Sequence, residues 1–427
     1  MSWLFLMVSL VGAWFTYNAY RPMWAGGRRA TISFFAGWLT TELALHHIAW
    51  QALAVAFFVR AGALHGWPGR FGLLITTVSW VGLWRCFQRA RAAETVVDHA
   101  LREGLGARYD DSILPEVRAK FSPTIDWKQI ILPFPMRHPE VERVRNIVYT
   151  RSAGLNLKLD VYRHRSHPTN CPTLLQVHGG AWVIGSKNEQ GIPLMLQMAS
   201  RGWTCVTADY RLSPHATFPD HLIDLKRALL WIREHGAEYG ANPDFVVVTG
   251  GSAGGHLCAL LALTANDPAY QPGFEQVDTR VQGCVAFYGV YDFTNRQGLQ
   301  PHDGLAQLLE RRVMKASLDE ARGHYEAASP MSRVHAEAPP FFIIHGDLDT
   351  LVPVGEARHF AQLLRQVSQR PVVYAEIPGA QHAFEIFPSP RATFVVHGVE
   401  RFLAFVYSEY VRSHAVSDET GTMAAAS

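Results

Sequence analysis

The chain has 427 residues, which is long enough for more than one folded unit. Its 39 basic and 37 acidic residues leave a formal net charge of +2, so the charge balance points to no nucleic-acid partner. Hydrophobic residues make up 48% of the chain, and they are concentrated in the first ninety residues. The five cysteines show no C-x-x-C spacing, which argues against a zinc site and a disulfide framework.

The N-terminal part contains three apolar runs. Trp3 to Tyr20 carries no charge and has about the length of a membrane span. The second run covers 32–59 and the third covers 71–87. Three such runs exceed what a soluble core needs. We therefore predict that residues 1–106 are a hydrophobic helical membrane region with about three spans, and that the protein is a multi-pass membrane protein.

Arginines flanking the runs predict the orientation. They cluster after the first and third runs, and the positive-inside rule places such clusters in the cytoplasm. With three spans the N-terminus lies outside and the rest of the chain is cytoplasmic. If the second run is re-entrant or forms a hairpin, the rest of the chain lies on the other side. The clustered residues are Arg21, Arg28, Arg29, Arg85, Arg89, Arg91 and Arg102.

Residues 107–141 have the composition of a proline-rich linker, which we expect to pack on the C-terminal part of the chain. Within it, 127–136 (WKQIILPFPM) is too apolar for a free linker, and we expect it to cover a pocket or touch the membrane surface. A second cap segment is expected in residues 294–338, where a helix with an apolar stripe serves either as a surface helix or as a lid.

Residues 142–412 have the pattern of an α/β domain. Two alternating segments joined by a glycine-containing turn predict an antiparallel hairpin. Continuous apolar runs separated by helix-length segments then predict a mostly parallel sheet with helices on both faces. We expect a last helix over 392–411 and a disordered tail over 413–427. The predicted buried strands are 173–178, 203–210, 245–250, 281–289, 340–346 and 372–379.

The segment GGSAG around Ser252 fits the G-x-S-x-G pattern. It follows a predicted strand and precedes a predicted helix, which is the context that the motif requires. A turn this sharp forces the serine into a strained backbone conformation, and Gly250 and Gly254 avoid the clashes that a Cβ would cause. We predict Ser252 as a nucleophile at the carboxyl edge of the sheet.

The loop HGGAW follows the strand at 173–178. Its glycines let backbone N–H groups face the serine, so Gly179 and Gly180, with Ala253, are predicted as the oxyanion hole. We expect His178 to brace this loop through hydrogen bonds.

Two later loops supply an acid and a base. His382 lies in a loop of small and polar residues after the last strand, where it can act as general base. Asp349 and Asp347 both follow the preceding strand; we predict that Asp349 holds His382 and that Asp347 shapes the turn. The order Ser, Asp, His is the order that α/β-hydrolases use.

These motifs resemble those of the hormone-sensitive-lipase-like carboxylesterases. HGGAW is similar to their HGGG-type motif, residues 209–220 (DYRLSPHATFPD) to the segment after their fourth strand, and GGSAGG to their GDSAGG elbow. Gly251 replaces the usual Asp, Ala181 replaces the third Gly, and His215 stands where an acid is frequent. The layout with an apolar N-terminus is similar to that of membrane-associated mycobacterial Lip esterases. The resemblance implies an α/β-hydrolase fold and serine hydrolase activity without metal or cofactor.

Several alternatives remain open at this stage. Ester and amide hydrolysis, including formamidase-type reactions, use the same residues, and an inactive membrane-anchored binding protein has the same fold. Placement of the cap segments and the membrane region favours hydrophobic short- to medium-chain or lipid esters as substrates. Glu42, His46 and His47 fall near one face of the second run, so a metal or haem site there is a further hypothesis. The alternative is that they face a neighbouring helix.

Overall fold

The computed structural model describes residues 1–24, 28–121, 124–134 and 136–425, with backbone only for Arg28 and residues 416–425. Two of the linker prolines, at positions 123 and 135, lie outside the described residues. The helices are α1 (Ser2–Tyr20), α2 (Arg28–Glu42), α3 (Ala44–Arg60), α4 (Trp67–Arg91), α5 (Ala93–Leu105), α6 (Pro115–Arg118), α7 (Trp127–Ile131), α8 (Ile192–Ser200), α9 (Asp220–His235), α10 (Ala253–Leu263), α11 (Gly304–Leu308), α12 (Arg322–Ala327), α13 (Val354–Val367) and α14 (Pro390–Ala425). Short 3-10 or π turns cover Ala63–His65, Tyr109–Ser112, Gly236–Tyr239, Pro268–Tyr270, Leu309–Met314 and Pro330–Arg333.

One eight-stranded sheet forms the centre of the molecule, in the order β1-β2-β4-β3-β5-β6-β7-β8. The first two strands pair antiparallel, β2 pairs antiparallel with β4, and the other pairs are parallel. This confirms the predicted hairpin leading into a mostly parallel sheet. The strands are β1 (Val141–Ser152), β2 (Leu155–His164), β3 (Cys171–Val177), β4 (Thr204–Ala208), β5 (Ala241–Gly251), β6 (Gly283–Phe287), β7 (Phe341–Gly346) and β8 (Val372–Ile377).

Helices cover both faces of the sheet, as the apolar strands predicted. In β5 the side chains of Val246 and Val248 enter one core with α9, α10 and α13, whereas Phe245 and Val247 enter the other with α5, α8 and α14. Helix α5 had been assigned to the membrane region, but it packs on β8 and α14. Part of the linker, around Tyr109, is buried in the core that contains Phe245 and Val247.

The C-terminal helix is longer than the sequence predicted. Helix α14 runs from Pro390 to Ala425 instead of 392–411, and therefore includes most of the segment expected to be disordered. In the second cap segment, the apolar stripe of the predicted helix is buried against the sheet core, with Leu309 and Val313 each 1% exposed. This burial corresponds to the surface-helix alternative.

The three N-terminal runs all form helices, but they do not form three equivalent spans. Among the described residues, α1 is the one helix that is long and apolar enough by itself to cross a membrane. The second run breaks at Leu43, and the pair α2–α3 passes the same test only as a unit bent by 92°. Helix α4 has 25 residues but does not pass. Length and composition therefore do not support the expected count of three.

A buried ion pair joins the N-terminal helices to the α/β domain. Arg391, at the start of α14, binds the Glu42 carboxylate at the end of α2, and the hydroxyl of Ser389 donates to the same carboxylate at 2.7 Å. Glu42 is 4% and Arg391 0% exposed. Because a buried charge without its partner is costly, this pair holds α2 against the loop that follows β8.

Candidate active site

Ser252 occupies the turn between β5 and α10 in a backbone conformation that L-residues rarely adopt. Its φ is 60° and its ψ is −123°. The Ser252 N–H donates to the carbonyl of Phe287 at 3.0 Å, and the Ser252 carbonyl accepts from His256 at 3.0 Å. The surrounding backbone therefore fixes the strained residue, a pattern typical of functional sites.

The flanking glycines are required because backbones touch at this turn. A Cβ atom at Gly254 would lie 2.2 Å from the carbonyl oxygen of Val177, and one at Gly250 would lie 2.5 Å from that of Gly254. Strand β3 and helix α10 could not approach this closely with any larger residue at these positions. This agrees with the supporting roles predicted for Gly250 and Gly254.

Asp349 and His382 form a buried hydrogen-bonded pair. The Nδ1 of His382 lies 2.6 Å from Oδ2 of Asp349, and the two residues are 5% and 0% exposed. The other carboxylate oxygen accepts from the N–H groups of Leu351 and Val352, each at 2.9 Å. A proton held on Nδ1 by Asp349 leaves Nε2 of His382 free to accept one from a hydroxyl.

Asp349 is held in its ionised form. Burial alone would raise the pKa of this carboxyl, but the charge of His382 and hydrogen bonds from His345 and His382 lower the pKa below its usual value. Asp347, by contrast, accepts the N–H of Gly379 at 2.6 Å and lies 3.6 Å from Arg89. The structure thus separates the two aspartates as the sequence predicted, one on the histidine and one in the turn.

Tyr288 lies next to His382 and to Gly251 in the turn that carries Ser252. The rings of His382 and Tyr288 are 4.4 Å apart, and the Tyr288 hydroxyl lies over Gly251, the residue before Ser252. Among the described residues, no hydrogen bond joins Ser252 Oγ to His382. Such bonds are often long in unliganded enzymes and shorten when substrate binds.

The predicted oxyanion loop packs on the nucleophile, with one difference in its donors. The Gly179 N–H already donates to Oε1 of Gln190 at 2.6 Å, so it is not free for a substrate oxygen as predicted. Within the described part of the chain, the N–H groups of Gly180 and Ala253 have no acceptor. Ala253 is the first residue of α10, where the helix dipole favours an anion.

His178 has the bracing role that its motif suggested. Its Nδ1 lies 2.8 Å from the carbonyl of Gly179, and its ring stacks on Tyr210 at 4.3 Å. The Tyr210 hydroxyl donates to the His178 carbonyl at 3.0 Å. Burial lowers the pKa of His178, which keeps the ring neutral.

Four further residues of the site were not identified from the sequence. Gln381 Oε1 accepts from the N–H groups of Thr350 and His382, joining the acid loop to the base loop. His345 Nε2 lies 3.2 Å from Asp349. The other two are Tyr288 and Glu385, a buried tyrosine–carboxylate pair beside His382. Position alone could have suggested them, because each lies at the carboxyl end of a strand or within the His382 loop.

The metal or haem hypothesis for the second run does not agree with the structure. Glu42 binds Arg391 and Ser389, Nε2 of His46 lies 3.0 Å from the carbonyl of Ile131, and Nδ1 of His47 accepts from Trp50. Across the described ranges, no group of three or more His, Cys, Asp or Glu residues is placed to hold a metal ion. The three side chains instead have separate protein partners, and of the three it is His47, against Phe15 of α1, that meets a neighbouring N-terminal helix as the alternative proposed.

Comparisons with known proteins identify the family of the chain. The BD-FAE family model matches residues 159–364. The probable carboxylic ester hydrolase LipM of Mycobacterium tuberculosis is 42% identical, over 94% of this chain and 93% of its own length. Esterase LipQ of the same organism is 38% identical, over 89% of this chain and 86% of its own length.

A solved structure also superimposes on the α/β domain. The esterase Est2 of Thermogutta terrifontis, in its butyrate-bound structure, is 26% identical and gives a TM-score of 0.52, covering 64% of this chain and 95% of that one. The same enzyme has been solved phosphonylated by sarin. The chain is therefore a carboxylic ester hydrolase that belongs to the Lip esterases, within the hormone-sensitive-lipase-like α/β-hydrolases.

Proposed function

We propose that the protein is a serine carboxylesterase or lipase that works through an acyl-enzyme. His382 takes the proton of Ser252, the serine oxygen attacks the ester carbonyl, and the N–H groups of Gly180 and Ala253 bind the resulting oxyanion. His382 then protonates the leaving alcohol, and water releases the acid by the same steps. The observations that carry this proposal are the 2.6 Å bond between His382 and Asp349 and the strained turn that holds Ser252.

The oxyanion donors are expected to contribute much of the rate. Loss of one such donor typically costs about 2.7–4 kcal/mol of transition-state stabilisation. Amide hydrolysis would use the same groups, but the Lip relatives and Est2 carry esterase names, which favours esters.

An aromatic path from the surface to His382 supports a hydrophobic ester as substrate. Phe34 of α2 lies edge-on to the His382 ring with centroids 6.3 Å apart, and it stacks on Trp38 at 5.9 Å. Trp38 contacts Phe387, which contacts Phe134 of the linker at 5.7 Å. Phe134 is 59% exposed, so the path begins at the molecular surface. A substrate that reached His382 beside these rings would meet apolar surface, which favours an apolar chain over a sugar.

Packing of α1 against α4 supports a membrane location. Small and polar residues lie between the two helices, with Thr76 donating to Ser9 at 3.0 Å and Thr16 bonded to Ser79 at 2.6 Å. Large apolar residues face outward at helical spacing, which reverses the order of a soluble core and is typical of helices in lipid. The outward residues of α4 are Trp67, Phe71, Leu74, Val78, Val81 and Trp84, and those of α1 include Trp3, Met7, Leu10, Trp14 and Tyr17.

The course of these helices favours a cytoplasmic catalytic domain. Ser2 donates to the carbonyl of Ala63, whereas Tyr20 donates to that of Gly82, so α1 and α4 run parallel toward the α/β domain. Phe5 stacks on Phe58, near the end of α3, so α3 returns in the opposite direction and α2 lies beside the catalytic site. Most of the N-terminal arginines then lie at the catalytic end, the side that the positive-inside rule assigns to the cytoplasm.

A fluorophosphonate probe tests the nucleophile. We expect the probe to label the full chain and not the Ser252→Ala variant, because the variant lacks the only atom proposed to form the adduct. Labelling would be measured by in-gel fluorescence. Labelling that persists in Ser252→Ala would remove the nucleophile assignment.

Paired aspartate variants test the acid. Asp349→Asn is expected to lower kcat by about 10⁴-fold, because it favours the wrong tautomer of the catalytic histidine. Asp347→Asn is the matched control and should keep kcat near the parent value. Steady-state hydrolysis of a nitrophenyl ester gives both numbers; equal losses in the two variants would contradict the assignment.

A chain-length series of nitrophenyl esters tests the substrate class. Each methylene group that the aromatic path buries should raise kcat/KM by up to about fourfold. Phe34→Ala should flatten the series, whereas Phe35→Ala, at an exposed neighbouring position, should not. A preference for acetylated sugars over every member of the series would rule out a hydrophobic substrate.

Membrane fractionation tests the location. We expect the full chain to stay in the membrane pellet after an alkaline carbonate wash, and a reporter fused to the C-terminus to be active in the cytoplasm. Recovery of the chain in the wash would contradict the membrane proposal, and a reporter active only outside would reverse the orientation.

A further inference from the structure

Tyr288 occupies the space that a side chain at position 251 would need. A Cβ atom at Gly251 would lie 2.7 Å from the Tyr288 hydroxyl and 3.0 Å from two of its ring carbons. The elbow of the resembling carboxylesterases usually carries an Asp here. In this chain the tyrosine and an acidic residue at 251 exclude each other, so Gly251 and Tyr288 form one feature of the site.

The Tyr288 hydroxyl brings another carboxylate to the same place. The hydroxyl donates its one proton to the Glu385 carboxylate and lies within hydrogen-bond distance of both oxygens, with Oε2 at 2.5 Å; Tyr288 is 1% and Glu385 4% exposed. No Lys or Arg of the described ranges pairs with Glu385. A buried carboxylate with a tyrosine as its partner is costly to keep, which argues that it has a use.

Tyr288 lies against the catalytic base, and Glu385 is joined to the base through Tyr288. Tyr288 directly follows β6 with a φ of +36°, and its N–H donates to the carbonyl of Ile344 at 2.7 Å. Its ring and that of Phe34 both contact His382, at 4.4 and 6.3 Å between centroids. Glu385 follows His382 by three residues in the same loop. The imidazole is thus held by Asp349 at one nitrogen and by these rings at its sides.

We propose that Tyr288 and Glu385 form a positioning pair for His382, in which Tyr288 fixes the ring and ionised Glu385 stabilises the positive charge that the ring acquires when it takes the serine proton. This role rests on the proposed serine mechanism. Tyr288 and Glu385 do not touch the reacting atoms, so neither is a catalytic residue. Through this pair the carboxylate of Glu385 lies near the turn at Ser252, although Gly251 has no side chain of its own.

The charge of Glu385 changes in the working pH range. Burial raises the pKa of Glu385 to about 7, although the hydrogen bond from Tyr288 lowers it. Because the folded-state pKa is raised, the carboxyl is neutral below about pH 7 and ionised above it, and the contribution to catalysis grows as pH rises. The charged or titratable groups around the pair are Glu42 of α2, which is paired with Arg391 of α14, and Asp349, Tyr288 and His382.

The test compares the parent chain with Glu385→Gln across pH. We expect the ratio of their kcat values to be near one at about pH 5.5 and about tenfold at about pH 8.5, with KM little changed. A purely structural role for Glu385 would give a ratio that does not depend on pH. A flat ratio, or one that falls as pH rises, would overturn the proposal.

Tyr288→Phe is the second variant and keeps the ring while removing the donor. It should also lose about tenfold in kcat at about pH 8.5, and the double variant should lose no more than either single one, since the residues act as a unit. Additive losses would overturn the pairing.

Thermal unfolding and fluorophosphonate labelling show that each variant is folded with a reactive Ser252. If Ser252→Ala keeps the activity of the parent chain, the proposed serine mechanism is wrong. If Ser252→Ala is inactive but the ratio of the parent and Glu385→Gln kcat values does not change with pH, only the positioning pair is wrong.

Discussion

The close contact of main chains around Ser252 is the constraint on which the site depends. The end of β3, the last residues of β5 and the first turn of α10 approach so closely that Gly250 and Gly254 have no room for a Cβ. This contact places the serine at a φ of 60° and directs it to the carboxyl edge of the sheet. It also places the loop after β3 and the N-terminus of α10 on the same side of the turn. The same backbone contact therefore positions both the proposed nucleophile and its main-chain donors.

Sequence periodicity was enough to predict the sheet and its helices, because strands buried on both faces appear as continuous apolar runs. Motifs at strand ends pointed to Ser252, His382 and Asp349, and the structure brings Asp349 rather than Asp347 to His382. The Gly179 donor was assigned differently because a side chain from a later segment, Gln190, takes its N–H. Nothing local to the loop encodes that contact. Tyr288 and Glu385 were missed for a similar reason, since their pairing joins positions 97 residues apart.

The N-terminal region shows where composition alone is insufficient. Apolar content predicted three comparable runs, but the second breaks at Leu43 and its first half, α2, lies against the catalytic loops. The buried small polar residues and exposed tryptophans of α1 and α4, on which the membrane proposal rests, are visible only in the structure. The same coordinates assign α5 to the α/β domain, which an apolar count could not separate from the preceding helices.

The ion pair between Glu42 and Arg391 has a consequence for how the chain can be divided. A fragment that begins after α4 would leave Arg391 without its carboxylate partner, and would uncover Phe387 and the side of His382 that Phe34 covers. The N-terminal helices and the α/β domain are therefore not independent modules that could be exchanged between proteins. Any replacement for the N-terminal helices would have to supply an acid for Arg391 and an aromatic surface for the histidine, and this requirement couples the evolution of the two parts.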